Sequence, residues 1–296
     1  MDQAVKTNPV KSRGEMGEMF YHLIRDPLGL TGLVIVVLIV FSAAFAGQIV
    51  PYDPIALNIP DRLQGPSLSH LLGTDQLGRD TFSRMVMGGR VALQVALPTI
   101  IGAVSIGTLL GMIAGYGPRW LDNLILLFFD TIRSFPTVMF ALAVVALIGP
   151  SLNTVVFVIM ATSIPTYGRV VRTMTQSLKS SEFIDAEKSL GATTKRILGV
   201  HILPNVLGPI AVLAAMDIPT IVGLEAGLSF LGMGVRPPTP SWGSLLNDGY
   251  ALIRNTPWPI IAGGLPLILT TLGFTFLGEA LRDVVDPKLR GRGGAR

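Results

Sequence analysis

The sequence predicts an all-α polytopic membrane protein with about six transmembrane helices. Half of the 296 residues are hydrophobic and only 14% are charged, whereas soluble domains carry roughly 25% charged residues. Residues 28–50 and 91–116 contain no charged side chain, and each run is long enough to cross a hydrocarbon core about 30 Å thick. The uneven distribution of Lys and Arg is the third observation, and it gives the orientation.

Six apolar runs are the predicted spans, at residues 28–50, 91–116, 122–148, 151–170, 206–234 and 257–279. The first is too long for a signal-peptide core and follows a charged stretch, so we expect it to be retained. The predicted domains are therefore an N-terminal tail (1–27), a membrane domain (28–281) and a C-terminal tail (282–296).

The distribution of Lys and Arg places both tails in the cytoplasm. With the N-terminus inside, the inner segments hold sixteen of the 23 basic residues and the outer segments hold six. Basic residues gather in the cytoplasmic loops of membrane proteins, so an even number of spans satisfies this pattern. The same bias accounts for the net charge of +4 without nucleic-acid binding.

Residues 13–27 predict a short amphipathic helix on the inner membrane surface. Met16, Met19, Phe20 and Leu23 recur at helical spacing. The helix should stop before Pro27, because the residue preceding a proline avoids the helical region.

The third run carries the charges Asp122, Asp130 and Arg133, and we expect Pro136 to disturb its helix. Charges at membrane depth are costly and face protein or water. Asp130 and Arg133 are three residues apart, so we expect them to pair on one helix face near the inner surface. Contact with a substrate is the alternative for this pair.

The fifth run contains Asp217, Pro219 and Glu225 and continues into a stretch rich in glycine and serine. We expect its helix to break, leaving the outer part irregular. Non-helical backbone at that depth is tolerated only against protein or a water-filled path. Asp217 and Glu225 are therefore candidate pathway residues, together with Asp130 and Arg133.

The second run repeats glycine every four residues, at Gly107, Gly111 and Gly115. This spacing places glycine along one helix face and favours close approach of another helix.

Residues 179–205, between the fourth and fifth runs, predict a helix–glycine–helix hairpin outside the bilayer. Phe183, Ala186 and Leu190 fall on one face of the first helix. Gly191 follows in the position of a C-terminal cap glycine, and Thr193 can cap the second helix.

The second helix should run from Ile197 to His201, and Leu203-Pro204 should end it and turn the chain toward the fifth span. The first helix would leave its apolar stripe exposed, and such a stripe requires a partner surface. That surface is either another protein or the chain's own inner loops.

The hairpin resembles the EAA loop of the membrane subunits of ATP-binding-cassette (ABC) importers. That loop has an acidic-Ala-Ala triplet, a glycine five residues after the second position, and a downstream Ile-x-Leu-Pro. Here it reads Asp185-Ala186-Glu187, Gly191 and His201-Ile202-Leu203-Pro204. Glu187 departs from the small residue usual in the third position, and His201 stands where the general signature has Ile.

Three further motifs look like those of the dipeptide/oligopeptide permease group, specifically its C-type subunit. They are HLLGTDQLGRDTFSR (70–84), LSFLGMGVRPPTPSWG (228–243) and LGEALRDVVDPKLR (277–290). In that group Asp usually stands at the position of Glu279 and Asn at that of Thr275. The resemblance covers roughly residues 15 to 290.

The resemblance implies the transmembrane domain of a type I importer, in the inner or plasma membrane of a bacterium or archaeon. The chain would pair with a homologous permease subunit as a heterodimer, bind two ABC ATPase subunits, and receive solute from an extracytoplasmic binding protein. Peptides head the expected solutes, and nickel chelates, opines, glutathione and oligosaccharides are alternatives. The implied ATPase-coupling residues are Glu182, Phe183, Asp185, Ala186, Glu187, Leu190, Gly191, Ala192 and Pro204. Candidate contacts for the binding protein are Asp75, Arg79, Asp80, Pro238 and Trp242.

The sequence shows no sign of an enzyme. It has no G-x-x-x-x-G-K-[ST] phosphate loop, so we expect ATP and Mg²⁺ in partner subunits and no cofactor here. His22, His70 and His201 are far apart and there is no cysteine, so no catalytic residue or metal site is expected, and the histidines should be surface or interface residues.

The rival from another class is a secondary transporter driven by an ion gradient. Such proteins usually show two similar halves with interrupted helices in matching positions, and no such repeat is visible. A channel would need pore-lining rings, and no filter sequence is evident.

Overall fold

The computed structural model describes residues 23–285, which form a bundle of helices. The helices are α1 (Pro27–Ala44), α2 (Ala46–Ile49), α3 (Thr81–Tyr116), α4 (Arg119–Arg133), α5 (Thr137–Ile148), α6 (Leu152–Lys179), α7 (Glu182–Ser189), α8 (Thr194–Arg196), α9 (Leu203–Phe230), α10 (Trp242–Leu252) and α11 (Trp258–Val285). The predicted surface helix at residues 13–27 lies mostly outside the described residues.

Five helical stretches are long and apolar enough to cross a membrane: α1, α3, α6, the continuous stretch Thr194–Phe230, and α11. The pair α4 and α5 makes a sixth if it is counted as one bent span. Large apolar side chains stay exposed along these helices, as Leu38 and Phe41 do on α1. Lipid contact explains such exposure, because water would oppose it.

Pro136 interrupts the third span, as predicted. The axes of α4 and α5 differ by 83° across a break of a few residues. Pro136 lies at the N-terminal boundary of α5, where its missing N–H costs nothing.

The predicted break in the fifth span is wrong. Helix α9 runs without interruption past Pro209 and Pro219, and the irregular backbone begins only after Phe230. A proline removes one backbone hydrogen bond, but α9 packs against α3, α10 and α11. This packing compensates for the two backbone hydrogen bonds that Pro209 and Pro219 cannot make.

The second span is longer than predicted because its charged N-terminal part is also helical. Asp80 caps α3 by accepting a hydrogen bond from the backbone N–H of Ser83 at 2.7 Å. The helix therefore begins at Thr81, and its 36 residues extend about 54 Å. It projects beyond a hydrocarbon core of about 30 Å.

The glycines of α3 contact α6, as predicted. A Cβ added at Gly111 would lie 2.5 Å from the carbonyl oxygen of Gly168, and one at Gly107 would lie 2.7 Å from the Cβ of Tyr167. Gly115 packs in the same way against Thr175. The contacts advance in the same direction along both helices, so α3 and α6 are parallel.

The bundle has two buried clusters, one toward each end. The cluster at the "hairpin end", where α3, α6 and α7 meet, includes Phe129, Tyr167, Ile184 and Ile202. The cluster at the "opposite end" includes Val95, Ile159, Trp242 and Leu245. Gly29 of α1 packs against Ala280 of α11, so the first and last described helices are antiparallel neighbours.

We predict that Gly111→Ala lowers stability by about 1–3 kcal/mol, because the added methyl group has no room beside α6. Gly208→Ala is the matched control, since a Cβ there meets nothing within 4 Å and alanine favours a helix. The melting temperatures of the purified variants compare the two. Equal melting temperatures would contradict the close α3–α6 packing.

Candidate functional site

The hairpin predicted at residues 179–205 is present, and its glycine cap is confirmed. Gly191 has φ +82°, a conformation that glycine adopts without steric cost. Its N–H donates to the carbonyl of Lys188, and the N–H of Ala192 donates to the carbonyl of Glu187, both at 3.0 Å. This pair of bonds is the Schellman motif that ends a helix.

Thr193 caps the second helix of the hairpin, as predicted, by accepting from the N–H of Arg196 at 3.4 Å. The expected stop at Leu203-Pro204 is wrong, because α8 continues through a π-helical turn, Ile197–Ile202, into α9. Pro204 has no N–H to donate and its ring would collide with the preceding helical turn. The wider π turn just before it accommodates this defect.

The hairpin has a buried face and an exposed face. Ile184, Ile197 and Ile202 are at most 1% exposed and belong to the buried cluster at the hairpin end. Phe183 is 46% exposed and Leu190 is 84% exposed, and Ala186 is exposed beside them. Within residues 23–285, the chain's own loops therefore leave the predicted apolar stripe open.

Glu187 and His201, the two departures from the general EAA signature, lie next to each other across the hairpin. The Nε2 atom of His201 is 3.5 Å from Oε1 of Glu187. The ring of Phe183 meets the His201 ring edge-on, with centroids 6.4 Å apart. Glu187 thus contacts the second arm of the hairpin, and both side chains are partly exposed.

The remaining predicted coupling residues lie mostly at the surface. Asp185 accepts a hydrogen bond from Lys188 at 2.8 Å, and this bond raises the pKa of the Lys188 ammonium. Glu182 and Pro204 are exposed, and Ala192 is half-buried. All nine predicted coupling residues thus lie on the same helical hairpin. The Schellman motif and the π turn fix the backbone of this hairpin.

Asp130 and Arg133 do not pair with each other, contrary to the prediction. Asp130 accepts a hydrogen bond from Arg169, and Arg133 donates to Thr166 Oγ1 at 3.0 Å. Both partners lie on α6, so the two residues attach α4 to its neighbour. Their own side chains remain exposed.

A stronger ion pair between the same helices was not identified from the sequence. Arg172 on α6 donates from Nε and Nη2 to the two carboxylate oxygens of Asp122 on α4, at 2.5 and 2.7 Å. Such a two-point contact has defined geometry. In the sequence, Asp122 and Arg172 are charged residues near the ends of two predicted spans, fifty positions apart. Nothing in the sequence indicates that they pair.

Asp217 and Glu225, the two acidic residues of α9, lie in different environments. Asp217 is half-buried and accepts a hydrogen bond from the Tyr167 hydroxyl at 3.0 Å. Glu225 is fully buried, with its Oε1 accepting from Ser229 at 2.6 Å. Ser229 Oγ in turn accepts from the N–H of Val235 at 3.4 Å. Glu225 thus supports the turn after α9, and Asp217 is the more accessible of the two.

At the opposite end, Asp75, Arg79 and Asp80 are buried in a polar network. Arg79 donates from Nε to Asp75 at 2.6 Å, and His70 Nδ1 lies 2.8 Å from the Asp80 carboxylate. Each of these four side chains is at most 11% exposed. His70 is therefore a buried, paired histidine and was expected at a surface.

The buried network joins residues 70–84 to α10. Arg84 donates from Nη2 to Asp248 at 3.2 Å, and Arg79 lies 3.5 Å from the same carboxylate oxygen. The role of Asp248 could not be predicted from neighbouring residues, because its partners precede it by more than 160 positions. Trp242 is also buried, and its indole N–H donates to the Met85 carbonyl at 2.9 Å.

These positions bear on the expected contact with a binding protein. Asp75, Arg79, Asp80 and Trp242 are buried at the opposite end of the bundle. Pro238 is exposed, so among the five predicted residues it alone offers a side chain for direct contact.

Comparison with protein families gives two matches. Residues 107–291 match the family described as "Binding-protein-dependent transport system inner membrane component". Residues 15–66 match "N-terminal TM domain of oligopeptide transport permease C".

Among curated relatives, the chain is 41% identical to the dipeptide transport system permease protein DppC of Alkalihalophilus pseudofirmus, over 92% of this chain and 90% of that one. It is 38% identical to the glutathione transport system permease protein GsiD of Pectobacterium atrosepticum, over 92% and 91%. It is 37% identical to the di/tripeptide transport system permease protein DppC of Pseudomonas aeruginosa, over 88% of each chain.

A solved structure shares the fold. A chain of the methionine ABC transporter MetNI, in an inward-facing conformation, superposes with a TM-score of 0.54 at 18% identity, over 69% of this chain and 97% of that one. The bundle is thus the transmembrane domain of a type I importer. The chain belongs to the family of binding-protein-dependent transport system inner membrane components, the multi-pass permease subunits of ABC importers.

Proposed function

We propose that this chain forms half of the translocation pathway for a small peptide and transmits ATP-driven motion through the hairpin. The observation that carries the proposal is the division of the hairpin into two faces. Ile184, Ile197 and Ile202 fix it to the bundle, and Phe183 and Leu190 are left for a partner. A rigid element with one free apolar face is what transmission from another subunit requires.

Two ATPase subunits are the proposed source of the motion, and ATP and Mg²⁺ would bind there. This chain has no phosphate-binding loop. Movement of the hairpin would pass directly to α9, since α8 and α9 form one continuous helix. It would also reach α6, which ends at Lys179, three residues before α7 begins.

A homologous permease subunit is the proposed second half of the pathway. Helix α9 exposes Gly223 and Gly227, and a Cβ at either position would meet nothing within 4 Å. They border a small, mostly apolar cavity of about 120 Å³ that Thr137 and Thr162 also line. Small residues allow close helix approach within a membrane, so this face suits a helix of the sister subunit.

The names of the relatives support a peptide as the solute. Dipeptides, di/tripeptides and glutathione appear among them, and glutathione is itself a tripeptide. The solute would arrive on an extracytoplasmic binding protein docked at the opposite end. We place both tails in the cytoplasm, together with the hairpin.

Reconstitution tests the function as a whole. Vesicles that hold this chain with its sister permease and ATPases should take up a labelled dipeptide only when ATP and the binding protein are both supplied. Uptake by this chain alone, driven by a proton or sodium gradient, would instead identify a secondary transporter.

We predict that Gly191→Val uncouples the importer, because a β-branched residue strains the backbone at positive φ by about 1–2 kcal/mol. A Cβ at Gly191 has open space around it, so any effect comes from the backbone conformation. Gly191→Asn is the matched control, since asparagine tolerates this conformation. Solute uptake per ATP hydrolysed should fall several-fold for the valine variant only, and a fully coupled valine variant would contradict the proposed role of the hairpin.

We predict that Glu187 acts through His201. If so, Glu187→Ala and His201→Ala should each weaken binding of the ATPase subunits, and the double variant should be no weaker than the more affected single variant. A coupling free energy of about 0.5–1 kcal/mol is expected for a partly exposed pair. Strictly additive losses in the affinity for the ATPases would show that Glu187 contacts the ATPase directly.

A further inference from the structure

A cavity of about 370 Å³ lies at the hairpin end, between the last turns of α3 and α6, the first turn of α4, and α7. Its volume falls in the range of small-ligand sites. Gly115 and Gly117 form part of the wall and leave the space open. The charged side chains that line it are Arg119, Asp122, Lys179 and Lys188.

The balance of charge in this cavity is positive. Asp122 is neutralised by its two hydrogen bonds to Arg172, and Lys188 is paired with Asp185. Lys179 donates to the Tyr116 carbonyl at 2.7 Å, and this acceptor carries no net charge. The side chain of Arg119 makes no hydrogen bond or ion pair within the described range 23–285. Lys179 and Arg119 thus leave about two positive charges without a counter-ion.

The start of α4 adds to this potential. Pro118 precedes the helix and supplies no side-chain cap. The N–H groups of Leu121 and Asp122 donate to the Pro118 carbonyl, so the backbone N–H groups of Arg119 and Trp120 are the ones available at the start of this 15-residue helix. The N-terminus of a helix favours an anion. Side chains and backbone therefore both favour a negatively charged ligand.

The exposed face of α4 indicates the source of the anionic ligand. Trp120 is 67% exposed, and Leu124, Leu127 and Phe128 continue the exposed apolar face along the helix. Tryptophan is enriched at the membrane–water interface. The cationic cavity thus lies beside an interfacial Trp, and an apolar surface leads away from it.

We propose that this cavity binds the headgroup of an anionic phospholipid, with its phosphate beside Arg119 and its acyl chains along Trp120 and Leu124. The bound lipid contacts α4, α6 and α7 together, because Arg119, Lys179 and Lys188 come from these three segments. It thereby joins the hairpin to the spans at a point distinct from the apolar contacts of Ile184.

The test uses the assembled importer in neutral detergent. Phosphatidylglycerol should raise its melting temperature by several degrees more than phosphatidylcholine does. Arg119→Gln should weaken the apparent affinity for phosphatidylglycerol about fivefold, the effect of one basic residue near an anionic membrane surface. Arg119→Lys should restore most of it, and Arg254→Gln, which removes an exposed arginine at the opposite end, should match the unaltered protein.

Three results would overturn the proposal. The first is an unchanged response to phosphatidylglycerol in Arg119→Gln. The second is an equal response to soluble glycerol 3-phosphate, which would identify a site for a free phosphate compound. The third is a response in the isolated permease pair that disappears once the ATPases bind, which would show that an ATPase covers the cavity.

Discussion

The burial of Ile184, Ile197 and Ile202 beneath the bundle is the contact on which the rest of the structure depends. A buried isoleucine contributes roughly 1.5–3 kcal/mol relative to an exposed one, so the three together contribute about 5 kcal/mol or more. This is many times the thermal energy, about 0.6 kcal/mol. These contacts join the hairpin to α6 and α9, so a partner that displaced it would be expected to displace the spans as well.

At both ends of the described bundle, ion pairs join segments that are distant in sequence. At the hairpin end, Arg172 and Arg169 of α6 each pair with a carboxylate of α4. At the opposite end, Asp75 and Asp248 hold the segment before α3 against α10 through Arg84. Arg84 and Asp75 are at most 3% exposed, and removing one partner of a buried pair costs more than the pair itself contributes. The pair of Arg169 and Asp130 is largely exposed, so the opposite end depends more strongly on its ionic contacts.

The sequence predicted what local chemistry controls. The bend at Pro136, the glycine contacts of α3 and the Gly191 cap all depend on residue type and spacing, and the structure contains each of them. The six predicted spans correspond to five long helices and the bent pair α4–α5. The predictions that were wrong concern tertiary contacts. Pro219 does not break α9, because neighbouring helices hold it, and Asp130 pairs with α6 since Arg169 lies closer than Arg133. No local pattern reveals that Asp80 and His70 are buried together.

The role of Glu187 illustrates why the candidate site needed the structure. By sequence alone, a carboxylate in place of a small residue alters the docking surface, and His201 is a separate departure fourteen positions away in the motif's second half. The turn at Gly191 returns the second arm beside the first, and the two side chains lie 3.5 Å apart. Two substitutions that each depart from the general signature thus become one contact. Because that contact lies between the arms, we expect it to affect the rigidity of the hairpin, and it leaves the stripe of Phe183 and Leu190 exposed.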